Sequence, residues 1–332
     1  MRGLFKLAAA AALALAPFAA AAQDPIVIKF SHVVTPDTPK GKGAEKFKEL
    51  AEKYTNGKVK VEVYPNSQLY KDKEEVDALQ LGAVQMLAPS LAKFGPLGAR
   101  EFEVFDLPFI LPSKAALRKV TEGDLGKRLF KKLESKGIVG LGYWDNGFKV
   151  MSANKPLRTP EDFRGLKMRI QSSKVLEAQM RALGAIPQVM AFSEVYQALQ
   201  TGVVDGTENP PSNFYTQKMQ EVQKHLTVSN HGYLGYAVIA NKRFWDGLPA
   251  DIRATLEGAM KDATRFADEI AMKENTDALE AVRKSGRTQI ATLTADEKTA
   301  WKKALAAVHR ENESRIGKDV LEAVYKETGF KP

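Results

Sequence analysis

Along most of this chain the spacing of apolar positions switches between a period of two and a helical period. Residues 26–30 form a β-rich run leading into Ser31 and His32, and 35–39 (TPDTP) read as a loop. From about 40 to 54, Ala44, Phe47, Leu50, Ala51 and Tyr54 recur at helical spacing with lysines opposite, and Asn56-Gly57 ends the helix. Val59, Val61 and Val63 alternate with Lys60 and Glu62, which predicts a half-buried strand. A helix at roughly 72–81 closes at Gly82, followed by a short strand at 86–88 and a loop from 89 to 94. The aromatic run 102–111 (FEVFDLPFIL) reads as core and inter-domain connection rather than a cofactor box. Two helices joined at Gly123 fill 113–136. A strand is expected at 138–144, a turn at Asp145-Asn146-Gly147, and a strand at 148–153 carrying Lys149 opposite Phe148 and Val150.

The densest stretch is 163–211. Thr159-Pro160-Glu161-Asp162 opens a helical turn just before it, with a cap, a proline and first-turn acids. Within it come a strand at 167–170, a helix, a second strand and a second helix. A turn at Asp205-Gly206 then presents Glu208 and Asn209 on a polar loop that Pro210 and Pro211 stiffen. On the first of those strands Lys167 and Arg169 face away from Met168 and Ile170. Strands at 227–230 and 234–241, the second carrying Tyr236, are expected to return to the first sheet. From 249 to 285 nothing breaks a helix whose apolar stripe is Ile252, Leu256, Met260, Phe266, Ile270, Leu279 and Val282, and Gly286 stops it. At 1.5 Å per residue, about 36 residues make about 54 Å, wider than one small domain, so this helix is expected to cross two. Thr294 with Glu297 caps a further helix to about 314, and the last runs from 317 to 328.

Strands alternating with helices argue for open α/β sheets, whose ligands sit at the carboxyl ends of strands. That edge carries Ser31, His32, and the loop holding Ser90 and Lys93. An arginine on a strand beside an asparagine on a rigid loop is a grip for a carboxylate. Arg169 offers a planar fork of two parallel donors, and Asn209 can donate to a remaining lone pair.

Composition narrows the class. The 332 residues suffice for two domains, and 44% hydrophobic with 27% charged residues is ordinary for a globular protein. The net charge is +9, but Lys and Arg are interleaved with Asp and Glu throughout, which argues against a nucleic-acid surface. The absence of cysteine excludes thiol catalysis, disulfides and cysteine-built metal sites. At the N-terminus, Arg2 and Lys6 precede an apolar run from 7 to 18 and an Ala-x-Ala site at 20–22. Those are the parts of a signal peptide over 1–22, cleaved near Ala22-Gln23, and the run is too short to span a membrane. An exported protein without a membrane anchor is expected.

No nucleophile elbow, zincin helix, phosphate loop or dinucleotide fingerprint occurs, and His32, His225, His231 and His309 lack a metal-ligand frame. No cofactor or metal is expected. An exported two-domain α/β chain of this kind reads as a binding protein, the rival being a hydrolase or lyase using His32 or His231.

The motifs AFSEVYQALQTGVVDGTENP (191–210), KFSHVVTPDTPKG (29–41), LAPSLAKF (87–94) and DLPFIL (106–111) give this chain its family likeness. It resembles, over nearly its whole length, the periplasmic solute-binding proteins of tripartite ATP-independent periplasmic (TRAP) transporters, and most closely their C4-dicarboxylate-binding branch. The resemblance implies a two-lobed periplasmic fold of open mixed sheets flanked by helices, with one long helix spanning both lobes. The implied lobes are 23–146 plus 231–270 and 147–230 plus 271–332. It implies Arg169 as the carboxylate anchor, Asn209 as its partner, Phe192 as an aromatic packed near the ligand, and Lys149 as a second basic group. Lysine there would act as a point charge rather than a fork. Ser90, Lys93, His32 and Tyr236 complete the candidate set. Pro89 stands where sialic-acid binders carry glutamate, which argues against that ligand. The implied partners are a small organic acid of the succinate, malate or fumarate type and the small and large integral membrane subunits of the transporter. A 2-oxo or aromatic monocarboxylate and a membrane sensor are the alternatives. The resemblance implies a monomer that performs no chemistry.

Overall fold

The computed structural model describes residues 24–331, so the signal peptide read at 1–22 lies outside the described residues. Among the described residues, eleven strands build two sheets. They are β1 (Ile26–Ser31), β2 (Val59–Tyr64), β3 (Met86–Leu87), β4 (Ile138–Phe148), β5 (Val150–Ala153), β6 (Lys167–Ile170), β7 (Ile186–Val189), β8 (Gly206–Asn209), β9 (His225–Val228), β10 (Tyr233–Asn241) and β11 (Gln289–Thr292). The first sheet has the order β2-β1-β3-β10-β4 and the second β11-β9-β5-β8-β6-β7. Both are mixed. In the first, β1 runs parallel to β2 and β3 while β10 is antiparallel to β3 and β4. In the second, β6 is parallel to β7 and β8 while β5 is antiparallel to β8 and β9.

Local sequence accounts for most elements. Val59 and Val61 are buried and Lys60 is exposed, as the alternation requires. The helix Pro39–Tyr54 begins where Thr38 accepts from the Gly41 N–H and proline fills the first position. Thr159 and Asp162 form a reciprocal cap, although the turn they start is 3-10 in form, Pro160–Phe163. The helix Ala250–Ser285 has 36 residues and stops where Gly286 adopts φ 65°. Its buried face is mostly small: Ala259, Ala263, Ala267, Ala271 and Ala278 are buried, whereas Phe266, Ile270 and Leu279 are only half-buried. Small side chains let the helix lie close against its neighbours. A Cβ added to Gly43 would sit 3.1 Å from Ala267 and from Trp144.

Three sequence expectations are corrected. The segment Asp145–Gly147 is not a turn. It is the end of β4, paired with β10 through a register shift near Leu234, and the chain then enters β5 after Lys149 alone. Asn209 stands on a strand, not a loop, because Gly206–Asn209 is held between β5 and β6 despite its polar sequence. Of the two strands expected to return to the first sheet, only β10 does. β9 pairs with β5 and β11 in the second.

The chain therefore passes between sheets twice at one place, at Lys149 and at 229–232. The two crossings are tied by the Lys149 N–H donating to the Gly232 carbonyl at 2.9 Å. The long helix crosses beside them. Its Asn275 side chain bonds the Asn146 carbonyl and accepts from the Ser212 N–H at 3.0 Å.

Gly206 opens β8 where a Cβ would lie 2.3 Å from the Ser152 carbonyl oxygen and 2.8 Å from the Met168 sulfur. Gly206→Ala is expected to cost about 1–3 kcal/mol, the range for overpacking a filled interior. A urea melt with an unchanged midpoint would show that the strand yields freely there.

Candidate functional site

Arg169 is one of the largest wholly buried side chains in the protein. β6 carries it into the space between the sheets, and Thr207 of β8 is its partner in register. Its Nε and Nη2 donate to the Met190 carbonyl at 3.1 and 2.8 Å, while Nη1 has no partner. The ring of Phe192 lies 5.7 Å from its Cζ. A guanidinium does not lose its proton, so its charge must be answered where it stands.

Part of the answer comes from Asp72. One of its oxygens is 3.8 Å from Arg169 Nη2 and 2.8 Å from Lys93 Nζ, and the other accepts from the Phe192 N–H at 3.2 Å. Lys93 Nζ makes that ionic contact and has no second partner. Burial alone would raise the Asp72 pKa, but Lys93 and Arg169 outweigh it and hold the carboxyl below its ordinary value. Lys93 is pulled down by burial, against the opposing effect of Asp72.

These groups border a narrow cleft whose cavity volume is only about 20 Å³. Val33, Val34, Lys40, Asp72, Glu75, Ser90 and Lys93 come from the elements around the first sheet, Gln171, Phe192 and Asn213 from the second, and Tyr236 from β10. Ser90 donates to Gln171 at 3.0 Å across the cleft. Lys40 donates to the Ala88 carbonyl at 3.0 Å and sits 3.9 Å from the centre of the Tyr236 ring. The Tyr236 hydroxyl accepts from Asn213 at 3.3 Å. Glu75 is 1% exposed, and neither of its carboxylate oxygens has a partner.

Of the sequence candidates, Arg169, Lys93, Ser90, Phe192 and Tyr236 thus meet at or beside one cleft. Asn209 lies two residues beyond Thr207, on the same face of the sheet as Arg169, and its amide has only a long contact of 3.4 Å to Thr207 Oγ1. Lys149 and His32 are placed differently. Lys149 occupies the opposite face of β5, where its Nζ is 2.6 Å from Glu208 Oε1. Glu208 Oε2 is 2.9 Å from His231 Nε2, and His231 Nδ1 is 2.7 Å from Ser229 Oγ. Lys149 is therefore spent on a buried ion pair. Burial would raise Glu208, yet Lys149 and His231 draw it down to about 2. His32 is fully buried, and burial together with Lys40 lowers its pKa to about 3, so it is neutral rather than a cation for an acid.

Lys40, Asp72, Glu75, Gln171 and Asn213 were not among the candidates. Lys40 left one signal, because a lysine in the first turn opposes the helix dipole and asks for a reason. Asp72 and Glu75 lie in KDKEE, which reads as a solvated charge run.

Comparison with known proteins places this geometry. Residues 30–315 match the family described as bacterial extracellular solute-binding protein, family 7. The C4-dicarboxylate-binding periplasmic protein DctP of Rhodobacter capsulatus is 70% identical over 323 residues, 97% of each chain. A TRAP periplasmic solute-binding protein from Shewanella oneidensis, solved with bound succinate, is 44% identical with a TM-score of 0.89, covering 92% of this chain and 99% of that one. Another from Pseudomonas aeruginosa PAO1, with bound L-malate, is 44% identical with a TM-score of 0.84, covering 86% and 100%.

The Lys149–Glu208 pair makes a prediction about stability. Glu208→Gln leaves Lys149 buried without its counter-charge and is expected to lose about 3–5 kcal/mol at pH 7. Glu208 titrates at about 2 in the fold against an ordinary 4.5, so its contribution is present above about pH 4.5 and is lost as pH falls towards 2. Denaturant melts at pH 7 and pH 3 should show the gap between wild type and variant narrowing. A constant gap would mean the ion pair is not its source.

Proposed function

The chain belongs to the bacterial extracellular solute-binding proteins of family 7, and from that premise we propose that it is the periplasmic receptor of a TRAP transporter, capturing a C4-dicarboxylate. It closes on the acid between two lobes, 23–146 plus 231–270 and 147–230 plus 271–332, and delivers it to the small and large membrane subunits. It acts as a monomer and turns nothing over.

The observation that carries this reading is the under-satisfied guanidinium of Arg169, buried with Nη1 free beside Phe192 and facing a second cation, Lys93. Arg169 holds one carboxylate, with Asn209 donating to it and Phe192 walling it. Lys93 and Lys40 meet the other carboxylate from the first sheet's side, and Ser90 and Tyr236 supply polar contacts between the two ends. Lys149 and His32 serve the fold around the site. The succinate- and malate-bound relatives support a four-carbon diacid over a monocarboxylate, and so does the gathering of three cations, Arg169, Lys93 and Lys40, at or beside one cleft. Binding favours the closed state because only there do both lobes touch the ligand.

Calorimetry with succinate and L-malate tests this directly. Arg169→Ala should weaken binding roughly 30- to several-thousand-fold, about 2–5 kcal/mol, the loss expected when one partner of a buried charge pair is removed. Wild-type affinity in that variant would remove Arg169 as the anchor. Small-angle scattering should show compaction at saturating succinate, and its absence would remove the closing motion.

A further inference from the structure

The charges around the cleft do not balance in the way a dianion needs. Lys40, Lys93 and Arg169 face two carboxylates, Asp72 and Glu75, and the one histidine nearby, His32, is neutral. With both carboxylates ionised the site presents one net positive charge to a ligand carrying two negative ones. Asp72 is anchored by Lys93, Arg169 and the Phe192 N–H. Glu75 is not: it lines the cleft, is 1% exposed, and both oxygens are without partners. No lysine, arginine or histidine nitrogen among the described residues comes within ion-pairing distance of it.

Resting on the reading of the cleft as a dicarboxylate site, we infer that Glu75 is a proton-carrying ligand contact. The diacid is captured together with one proton from water, held on Glu75, whose carboxyl then donates a hydrogen bond to the ligand. Protonation solves two problems at once. It raises the net charge of the site to match the dianion, and it turns a buried acceptor with nothing to accept from into a donor.

The surroundings favour this. Burial raises the Glu75 pKa from 4.5 to about 7; Lys40 and Lys93 oppose the rise and Asp72 adds to it. The groups facing Glu75 are Lys40 from the helix Pro39–Tyr54, Asp72 just before its own helix, Lys93 from the turn Leu91–Lys93, and the Tyr236 hydroxyl from β10. The second sheet contributes only uncharged Gln171 and Asn213 at this end. A bound dianion adds negative charge beside Glu75 and raises its pKa further. The sign follows: above about pH 7 the free protein has lost this proton and the complex keeps it. Affinity should then be flat below that pH and fall by up to about tenfold per pH unit above it. Lys40, lowered by burial to about 8, is mostly protonated at pH 7.5 and can add at most about a quarter of a proton to the uptake there.

Calorimetry of the full chain with succinate at pH 7.5, in HEPES and in Tris, counts the protons taken up from the difference in buffer ionisation heat. More than roughly half a proton per succinate is expected for wild type. Glu75→Gln, which keeps a neutral donor, should bind with most of that uptake gone. The wild-type count needs no variant to fold, and a protonated-carboxyl stretch appearing in the infrared difference spectrum on adding succinate reads the same proton independently. Binding without proton uptake, or uptake unchanged in Glu75→Gln, overturns the role of Glu75 and leaves the dicarboxylate reading standing. A wild-type protein that binds no C4-dicarboxylate overturns both.

Discussion

Arg169 is buried completely, and because a guanidinium stays charged, everything within reach must answer it. Met190 answers with a carbonyl and Asp72 with a carboxylate at 3.8 Å, a distance that attracts without forming a hydrogen bond. One nitrogen goes unanswered. The same second sheet carries a contrasting cluster on its other face. There Lys149, Glu208, His231 and Ser229 satisfy one another in a closed chain of short contacts. Both clusters are buried and both contain a strong cation. The two clusters differ in what is left unpaired.

That contrast depends on where the two sheets join. β4 becomes β5 across Lys149 alone, and β9 reaches β10 through 229–232, so both crossings sit beside the saturated cluster. The crossings must bend if the lobes are to move. Glu208 links Lys149 on one crossing to His231 and Ser229 on the other, so the two crossings are held to each other. The long helix adds a third link, and its alanine face lets it pass close to both lobes. The lobes also meet directly, since Val33 and Val34 pack in one apolar cluster with Phe192, Phe214 and Val282.

Much of this was legible in the residues. Strand–helix alternation marked two α/β sheets, and the break-free run after 249 marked the long helix. Arg169 stood out as an arginine on a strand whose other face, Met168 and Ile170, is apolar. What escaped had physical reasons. β8 is polar throughout, GTEN, and earns its place from neighbours on both sides rather than from propensity. β9 pairs by topology, which local pattern does not encode. Half of the buried positions of the long helix are alanine, so a search for large apolar residues found Ile252, Leu256, Met260 and Val282 but also pointed at the half-buried Phe266, Ile270 and Leu279. Lys40, Asp72 and Glu75 were hidden because charged residues in a charged run look solvated. Lys149 was read on the correct face, opposite Val150, but a basic side chain on a strand does not reveal that its counter-charge, Glu208, lies beside it on the neighbouring strand.

Asp72 belongs to the first lobe's sequence yet makes its contacts with both. Its carboxylate accepts from Phe192 and approaches Arg169 on one side and Lys93 on the other. A fixed anion at this position does for the closed arrangement part of what a ligand carboxylate does, since it draws cations of the two lobes together. A ligand can shift an equilibrium only by the difference in its affinity for the two states. Whatever attraction Asp72 already provides is therefore withheld from the ligand's share of the closing free energy. In the proposed receptor the ligand would meet the donors Asp72 leaves free: the edge of Arg169 at Nη1, the ammonium of Lys93, and the carboxyl of Glu75. On that reading an acid with a single carboxylate engages only part of the set, whereas a diacid draws on both Arg169 and the Lys40–Lys93–Glu75 group.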